Sequence, residues 1–179
     1  MDINEFKTRL GAGGARPNQF QVILAFPSYV ASPPLSDSIL VTGAALPAST
    51  VNPAIIQYRG REVKLAGERI FDPYTITIVN DTEQKIRRAM EQWMEGMNNK
   101  ESNEGRLTPA DYQADLRIKH LDRNDNTLPG GDYILRDAFP IQLSEIALQY
   151  GQNDILEEYT VTFQYRHYEI QGENLVAPG

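Results

Sequence analysis

A chain of 179 residues has room for one well-buried domain and not for two comfortable ones. Its 17 Lys plus Arg against 24 Asp plus Glu leave a net charge of -7, which argues against sequence-independent nucleic-acid binding, a mode that needs excess cations to displace phosphate counterions. Cysteine is absent, so disulfides and thiolate chemistry are excluded and packing must hold the fold.

The start, Met1-Asp2-Ile3-Asn4-Glu5-Phe6-Lys7, lacks the basic region and apolar core of a secretory signal. No apolar run approaches the roughly 18 residues of a membrane span, so a soluble product made in the cytoplasm is expected. Residues 1–17 form an arm in which Ile3, Phe6 and Leu10 recur at helix-like spacing before a glycine stretch and Pro17. It reads either as a frayed end or as an arm that grips a partner. The body is expected over residues 18–170, and 171–179 form a tail with few anchoring side chains. In the first strand, Gln19 to Phe26, residues Phe20, Val22, Leu24 and Phe26 share one face.

Pro27, Pro33, Pro34, Pro47 and Pro53 then forbid long helices and most central-strand pairing, although Ser38 to Thr42 fits a short strand. Residues 43–70 read as a long loop, within which Arg59-Gly60-Arg61 is a turn joining two short strands. Two guanidinium groups there suit phosphate, but exposed arginines on a hairpin are the commoner explanation. Thr75 to Val79 alternates as a strand and runs into Asp81, an N-cap candidate, with Gln84 completing a capping box. The spacing predicts a helix over 81–97, with Ile86, Ala89, Met90, Trp93, Met94 and Met97 on one stripe. Burying that stripe contributes at most about 1.5–3 kcal/mol per large side chain. Core packing is the better reading of it than a methionine-rich grip on a partner.

Gly96 is expected to loosen the helix, and 98–110 to form an exposed polar loop. Tyr112 to His120 alternates as a strand, and Asp132 to Phe139 is its hairpin partner. Ile141 to Leu148 changes phase near Ser144-Glu145, which predicts a β-bulge or bend. The last strand, Tyr159 to Tyr168, alternates almost without error: Tyr159, Val161, Phe163 and Tyr165 face a core, while Glu158, Thr160, Thr162, Gln164 and Arg166 face something wet. The whole is mainly β with one substantial helix.

Raw material for catalysis is thin. His120 and His167 are read on the apolar sides of their strands, where a hydrogen-bonded core or interface histidine is commoner than a metal ligand. No Gly-x-Ser-x-Gly elbow, His-Glu-x-x-His or phosphate-binding loop is present. Glu157 and Glu158 are neighbours in a strand and cannot act as a pair on one atom. No catalytic residue, metal ligand or cofactor site is assigned, and a structural role without enzymatic activity is favoured.

Several stretches, taken together in order, resemble the tail tube proteins of contractile-tailed bacteriophages of the T-even type. They are Asn18 to Val22, Tyr58 to Arg69, Thr75 to Asp81 feeding the Trp93 helix, and Glu158 to Tyr165; the resemblance spans roughly residues 18–168. It implies a two-sheet β-sandwich or small barrel flanked by one helix. It also implies self-assembly into hexameric rings stacked head to tail as the hollow inner tube of a virion tail that conducts DNA. The implied partners are a sheath outside, baseplate and tail terminator at the ends, and tape measure protein and DNA in the lumen, with no membrane. Within such a tube, Glu158, Thr160, Thr162 and Gln164 are candidates for the lumen wall, because short polar and acidic groups do not adsorb phosphate. Leu46, Val51, Ile55, Tyr58, Arg59, Arg61, Val63 and Leu65, with Ile3 and Phe6 of the arm, are candidates for contacts between subunits and rings. The alternatives are the inner tube of a related contractile injection or type VI secretion device and, from another class, a soluble β-barrel ligand-binding or hydrolytic domain.

Overall fold

Apolar residues at every second position bring seven strands into one sheet that curls almost closed around a single core in the computed structural model, which describes residues 2–10, 14–31, 33, 39–151 and 153–172. In chain order the elements are helix α1 (Ile3–Leu10), strands β1 (Phe20–Ile23), β2 (Val41–Gly43), β3 (Ser49–Tyr58), β4 (Arg61–Phe71) and β5 (Tyr74–Val79), helices α2 (Lys85–Met97) and α3 (Pro109–Tyr112), and strands β6 (Ala114–Leu121), β7 (Thr127–Leu143), β8 (Glu158–Gln164) and β9 (His167–Ile170). The main sheet runs β1-β6-β7-β8-β5-β2, with β9 beside β7, and β3 and β4 form a separate two-stranded sheet. The expected mainly β class and flanking helix are present. The edges of the sheet approach each other across a groove of about 200 Å³ lined by Phe20, Ala44, Leu46, Ile118 and His120.

β7 is the spine. Its first part pairs with β6, Tyr133 to Arg136 also pair with β9, and Phe139 to Leu143 pair with β8. The change of partner falls at Asp137, whose φ of 56° bends the strand and whose N–H donates to Asp115 Oδ1 at 3.1 Å. Val22, Ile76, Ile78, Leu116, Ile118, Leu135, Val161 and Phe163 fill the interior.

α2 packs its stripe on this core. Ile86, Ala89, Met90 and Trp93 are buried, whereas Met94 and Met97 are half-buried at the open end. Trp93 sits edge-on to Phe26 at 5.6 Å and near Phe163 at 6.1 Å, and its indole N–H donates to the Tyr112 carbonyl at 2.6 Å. The helix starts at Lys85 and not at Asp81. Asp81 to Gln84 form a turn, Gln84 is left-handed with φ 52° and supplies no side-chain cap, and Asp81 Oδ1 accepts the Lys85 N–H at 2.9 Å. Gly96 does not loosen the helix. A Cβ there would lie 2.2 Å from the Tyr29 ring, whose hydroxyl donates to the Trp93 carbonyl at 2.8 Å, so the glycine serves close packing.

Other expectations change as well. The final strand is two strands: after Gln164 the chain bends at Tyr165-Arg166, leaves the ladder with β5 and joins β7 as β9. Because the bend shifts the phase, Tyr165 and Tyr168 both reach Phe71, at 6.0 and 5.6 Å, while His167 sits on a polar side, 3.4 Å from Glu169. Ile141 to Leu143 end β7, with the register irregularity between Pro140 and Gln142; the chain leaves the sheet after Ser144, so Ile146 and Leu148 belong to no strand. The segment read as a long loop over 43–70 contains β3 and β4, paired along nearly their whole length. Of the short strand expected over 38–42, Ser38 lies outside the described residues, and the strand observed is β2.

Replacing Trp93 with Ala removes the side chain that joins helix, sheet and loop, and is expected to lower unfolding stability by about 3–5 kcal/mol. Equilibrium urea denaturation followed by circular dichroism measures it; a loss below about 1 kcal/mol would contradict this packing.

Candidate functional site

Three surfaces stand out once the core is accounted for. The first is the outer face of β8 and its neighbours. Tyr159, Val161 and Phe163 are buried, so Glu158, Thr160, Thr162 and Gln164 share the opposite face, as expected from alternation. Thr77 pairs with Thr160 and Thr75 with Thr162, and the Thr75 and Thr162 hydroxyls share a hydrogen bond at 2.9 Å. Thr42 donates to Glu158 Oε1 at 3.5 Å, and Gln142 lies opposite Thr162 on the other side. The result is a wall of threonines with one row of acid and amide groups. Thr42, Thr75 and Thr77 were missed by reading β8 alone; the alternation of Thr75 and Thr77 with Ile76 and Ile78 carries the signal for two of them.

Beyond the bend at Tyr165 the outer surface changes character. Arg136 bridges Asp115 and Glu169, and Arg166 pairs with Asp137 at 2.9 Å. The Arg136 guanidinium holds the Glu169 carboxyl below its usual range. On β6 and β7, Arg117 forms a two-pronged pair with Asp132, whose carboxyl is largely buried. Arg166, the cation that alternation put on the polar side of the final strand, is therefore already paired. His120 donates from its Nε2–H to the Arg16 carbonyl at 2.9 Å, the hydrogen-bonded role expected of it.

The second surface is the β3–β4 hairpin. Arg59 and Gly60 both have positive φ, 49° and 78°, which closes a two-residue turn whose twist matches the strands. At about 3.3 Å per residue the arm is roughly 30 Å long. It is anchored at its base, where Phe71 meets Tyr165 and Tyr168, and no residue from Thr50 to Ile70 is buried. The register divides the candidate contact residues. Tyr58, Arg61, Val63 and Leu65 lie on one face, joined by Ile56 and Ile70, which were missed; Val51 and Ile55 lie on the other with Lys64 and Arg69. Ile56, Tyr58 and Leu65 are 51%, 61% and 51% exposed, so none of the described residues covers them. Arg59 lies over the Tyr58 ring at 5.4 Å. Leu46 is not part of the arm; it lines the groove between the sheet edges.

The third is α1, whose Ile3, Phe6 and Leu10 are exposed and which buries no residue. Among the described residues, no group of three or more His, Cys, Asp or Glu is arranged to hold a metal ion, and no helix is long and apolar enough to cross a membrane.

A family model described as phage tail tube protein matches residues 15–171. The tail tube protein of Serratia phage KSP90 is 28% identical over 167 residues, covering 91% of this chain and 93% of that protein. The tail tube protein of Enterobacteria phage T4 is 27% identical over 158 residues, covering 87% and 91%. Among solved structures, a chain of the anti-feeding prophage baseplate superposes with a TM-score of 0.66 at 15% identity, covering 92% of this chain and 99% of its own. A chain of the sheath-tube complex of an extracellular contractile injection system does so with a TM-score of 0.55 at 13% identity, covering 92% and 97%. These two likenesses show a shared fold.

Hydrogen bonds from Arg117 hold the Asp132 carboxyl below its usual range, so folding favours its ionised form. That stabilisation is fully present above an unfolded value of about 3.9 and is lost as pH falls through the depressed folded value. Asp132→Asn is expected to lower stability at neutral pH and to flatten the acid limb below about pH 4; denaturation curves across acid pH check it, and an unchanged acid limb would deny the pair this role.

Proposed function

The chain belongs to the phage tail tube protein family, and from that premise we propose that its copies close into rings of six that stack head to tail as the hollow inner tube of a contractile phage tail, through which DNA passes into the host. The observation that carries this reading is the β3–β4 hairpin, an arm with apolar residues on both faces that the described residues leave uncovered. A self-complementary patch would stop at a dimer, whereas an arm that meets a different surface on the next copy repeats without closing. Stacking of rings is such a contact. Leu65, Val63, Tyr58 and Ile56 on one face, and Val51 and Ile55 on the other, supply apolar area for it. The exposed Ile3 and Phe6 of α1 form a second, smaller contact.

The threonine wall suits the lumen. DNA moving past a surface is slowed by each cation that replaces a counterion, and the outer face formed by Thr75, Thr77, Glu158, Thr160, Thr162 and Gln164 carries none. A sheath outside, a baseplate and a terminator at the ends, and a tape measure protein inside complete the arrangement. Supporting this are the solved neighbours, which come from a baseplate, a sheath-tube complex and a tube terminator. The same neighbours favour, as a second reading, the inner tube of a related contractile injection device. The phage relatives, at higher identity, favour the first.

Electron microscopy of the purified protein is expected to show hollow rods or stacked rings of six, and deleting residues 1–14 to impair their formation while leaving the monomer folded. A stable monomer at every concentration tested would remove the tube reading. Because the chain has no cysteine, Thr162→Cys supplies a single reactive thiol. A bulky maleimide is expected to label it in the monomer and to be excluded from assembled tubes; equal labelling of both would place this face outside the lumen.

A further inference from the structure

The two ends of β8 differ in a way that identifies what the hairpin meets. β5 begins at Tyr74 opposite Phe163 and ends at Val79 opposite Glu158, so the hairpin, which feeds β5 through Asp72-Pro73, is rooted at the Phe163 end. At the Glu158 end lies an open groove of about 970 Å³ built by residues 146–150 and 154–158. Leu148, Tyr150, Ile155 and Leu156 line it with their side chains largely exposed, beside Asp154 and Glu157. An apolar arm at one end and an apolar groove at the other is the polarity that a head-to-tail stack requires.

Charge selects the same pairing. Residues 144–158 contain four acids, Glu145, Asp154, Glu157 and Glu158, and no Lys or Arg. Residues 49–71 contain four cations, Arg59, Arg61, Lys64 and Arg69, against two acids, in a chain whose net charge is -7. Arg59 occupies a turn position with positive φ that Asn, Asp or Gly adopts at less cost, so the backbone is strained to hold a guanidinium at the tip. Its neighbour Tyr58 presents a ring on the apolar face, matching a groove that holds aromatic and aliphatic side chains together.

Resting on the stacked-ring reading above, we propose that the hairpin tip of one copy docks in the groove between β7 and β8 of a second copy in the next ring. Tyr58 and Ile56 enter against Leu148, Ile155 and Leu156, and Arg59 and Arg61 meet Asp154 and Glu157. The pairing steers rings together with one polarity, because two like ends repel.

Three full-length variants test it: Arg59→Glu with Arg61→Glu, Asp154→Arg with Glu157→Arg, and all four together. Each pair of reversals is expected to raise the protein concentration needed for tubes by about tenfold or more, and the fourfold swap to restore assembly. Circular dichroism checks the fold of each, since Glu157 also accepts a hydrogen bond from Asn80 at 2.9 Å. Doubly reversed chains that polymerise like the parent, or a folded fourfold swap that rescues nothing, would overturn the proposal. Independently, Tyr58→Cys with Leu156→Cys in this cysteine-free chain is expected to give a ladder of disulfide-linked multimers from oxidised tubes. Tubes that form but yield only unlinked chains would overturn this docking and leave the tube standing, whereas a parent chain that forms no tubes removes the stacked-ring reading itself.

Discussion

Burial of one face of β8 is the constraint on which the rest of the molecule depends. Tyr159, Val161 and Phe163 lie between β5 and β7, with Trp93 of α2 against Phe163. A large side chain buried in this way contributes about 1.5–3 kcal/mol. A slip of one residue would carry all three outward and bring Thr160 and Thr162 in, so the register is tightly specified. The outer face is then no longer free. The threonine wall exists because the core does, and a change that weakens the core register also scrambles the wall.

The second organising element is the bend shared by β7 and the β8–β9 junction. Asp137 on β7 and Tyr165-Arg166 between the other two strands turn together, linked by the Arg166–Asp137 ion pair at 2.9 Å and by the Arg166 N–H donating to the Arg136 carbonyl at 3.0 Å. On one side of the bend the exterior is hydroxyl and amide. On the other it is a lattice of paired charges built on Arg136 and Arg117. One continuous sheet therefore presents two surfaces of different chemistry, and the bend marks the boundary between them.

Elements governed by local periodicity were legible in the sequence: β1, β5, β6, the buried stripe of α2 and the alternation of β8 all follow from spacing alone. What was not legible depended on partners far along the chain. Alternation continues through Tyr165 and His167 in sequence, yet the strand breaks there because β7 offers pairing in two directions. Asp81 looked like a cap because residue type favours it, but the turn preceding Lys85 pushed the helix start four residues on. The prolines of the 43–70 segment argued for a loop; Pro53 is accommodated beside the register shift between Val51 and Pro53, so the arm stays paired around it. For the contact surface, composition showed that apolar residues were in excess, and only the register showed that Ile56 belongs with Tyr58 while Ile55 does not.

An exposed two-stranded sheet invites strand addition at either edge, and this one is guarded. Pro53 removes a donor from β3, and Arg61, Glu62, Lys64, Glu68 and Arg69 charge β4, features that discourage a second hairpin from pairing alongside. The faces carry no such guard. Ile56, Tyr58, Val63 and Leu65 on one side, with Val51 and Ile55 on the other, remain open. Edge protection combined with open faces directs association away from edge-to-edge β growth, which has no fixed end point, and toward insertion between surfaces of matching shape. An isolated two-stranded hairpin is only marginally stable in water, so covering its faces also orders it. In the proposed stack, the arm that lacks a core within its own chain would gain one from a neighbour, and the order of the hairpin and the growth of the assembly would become a single equilibrium.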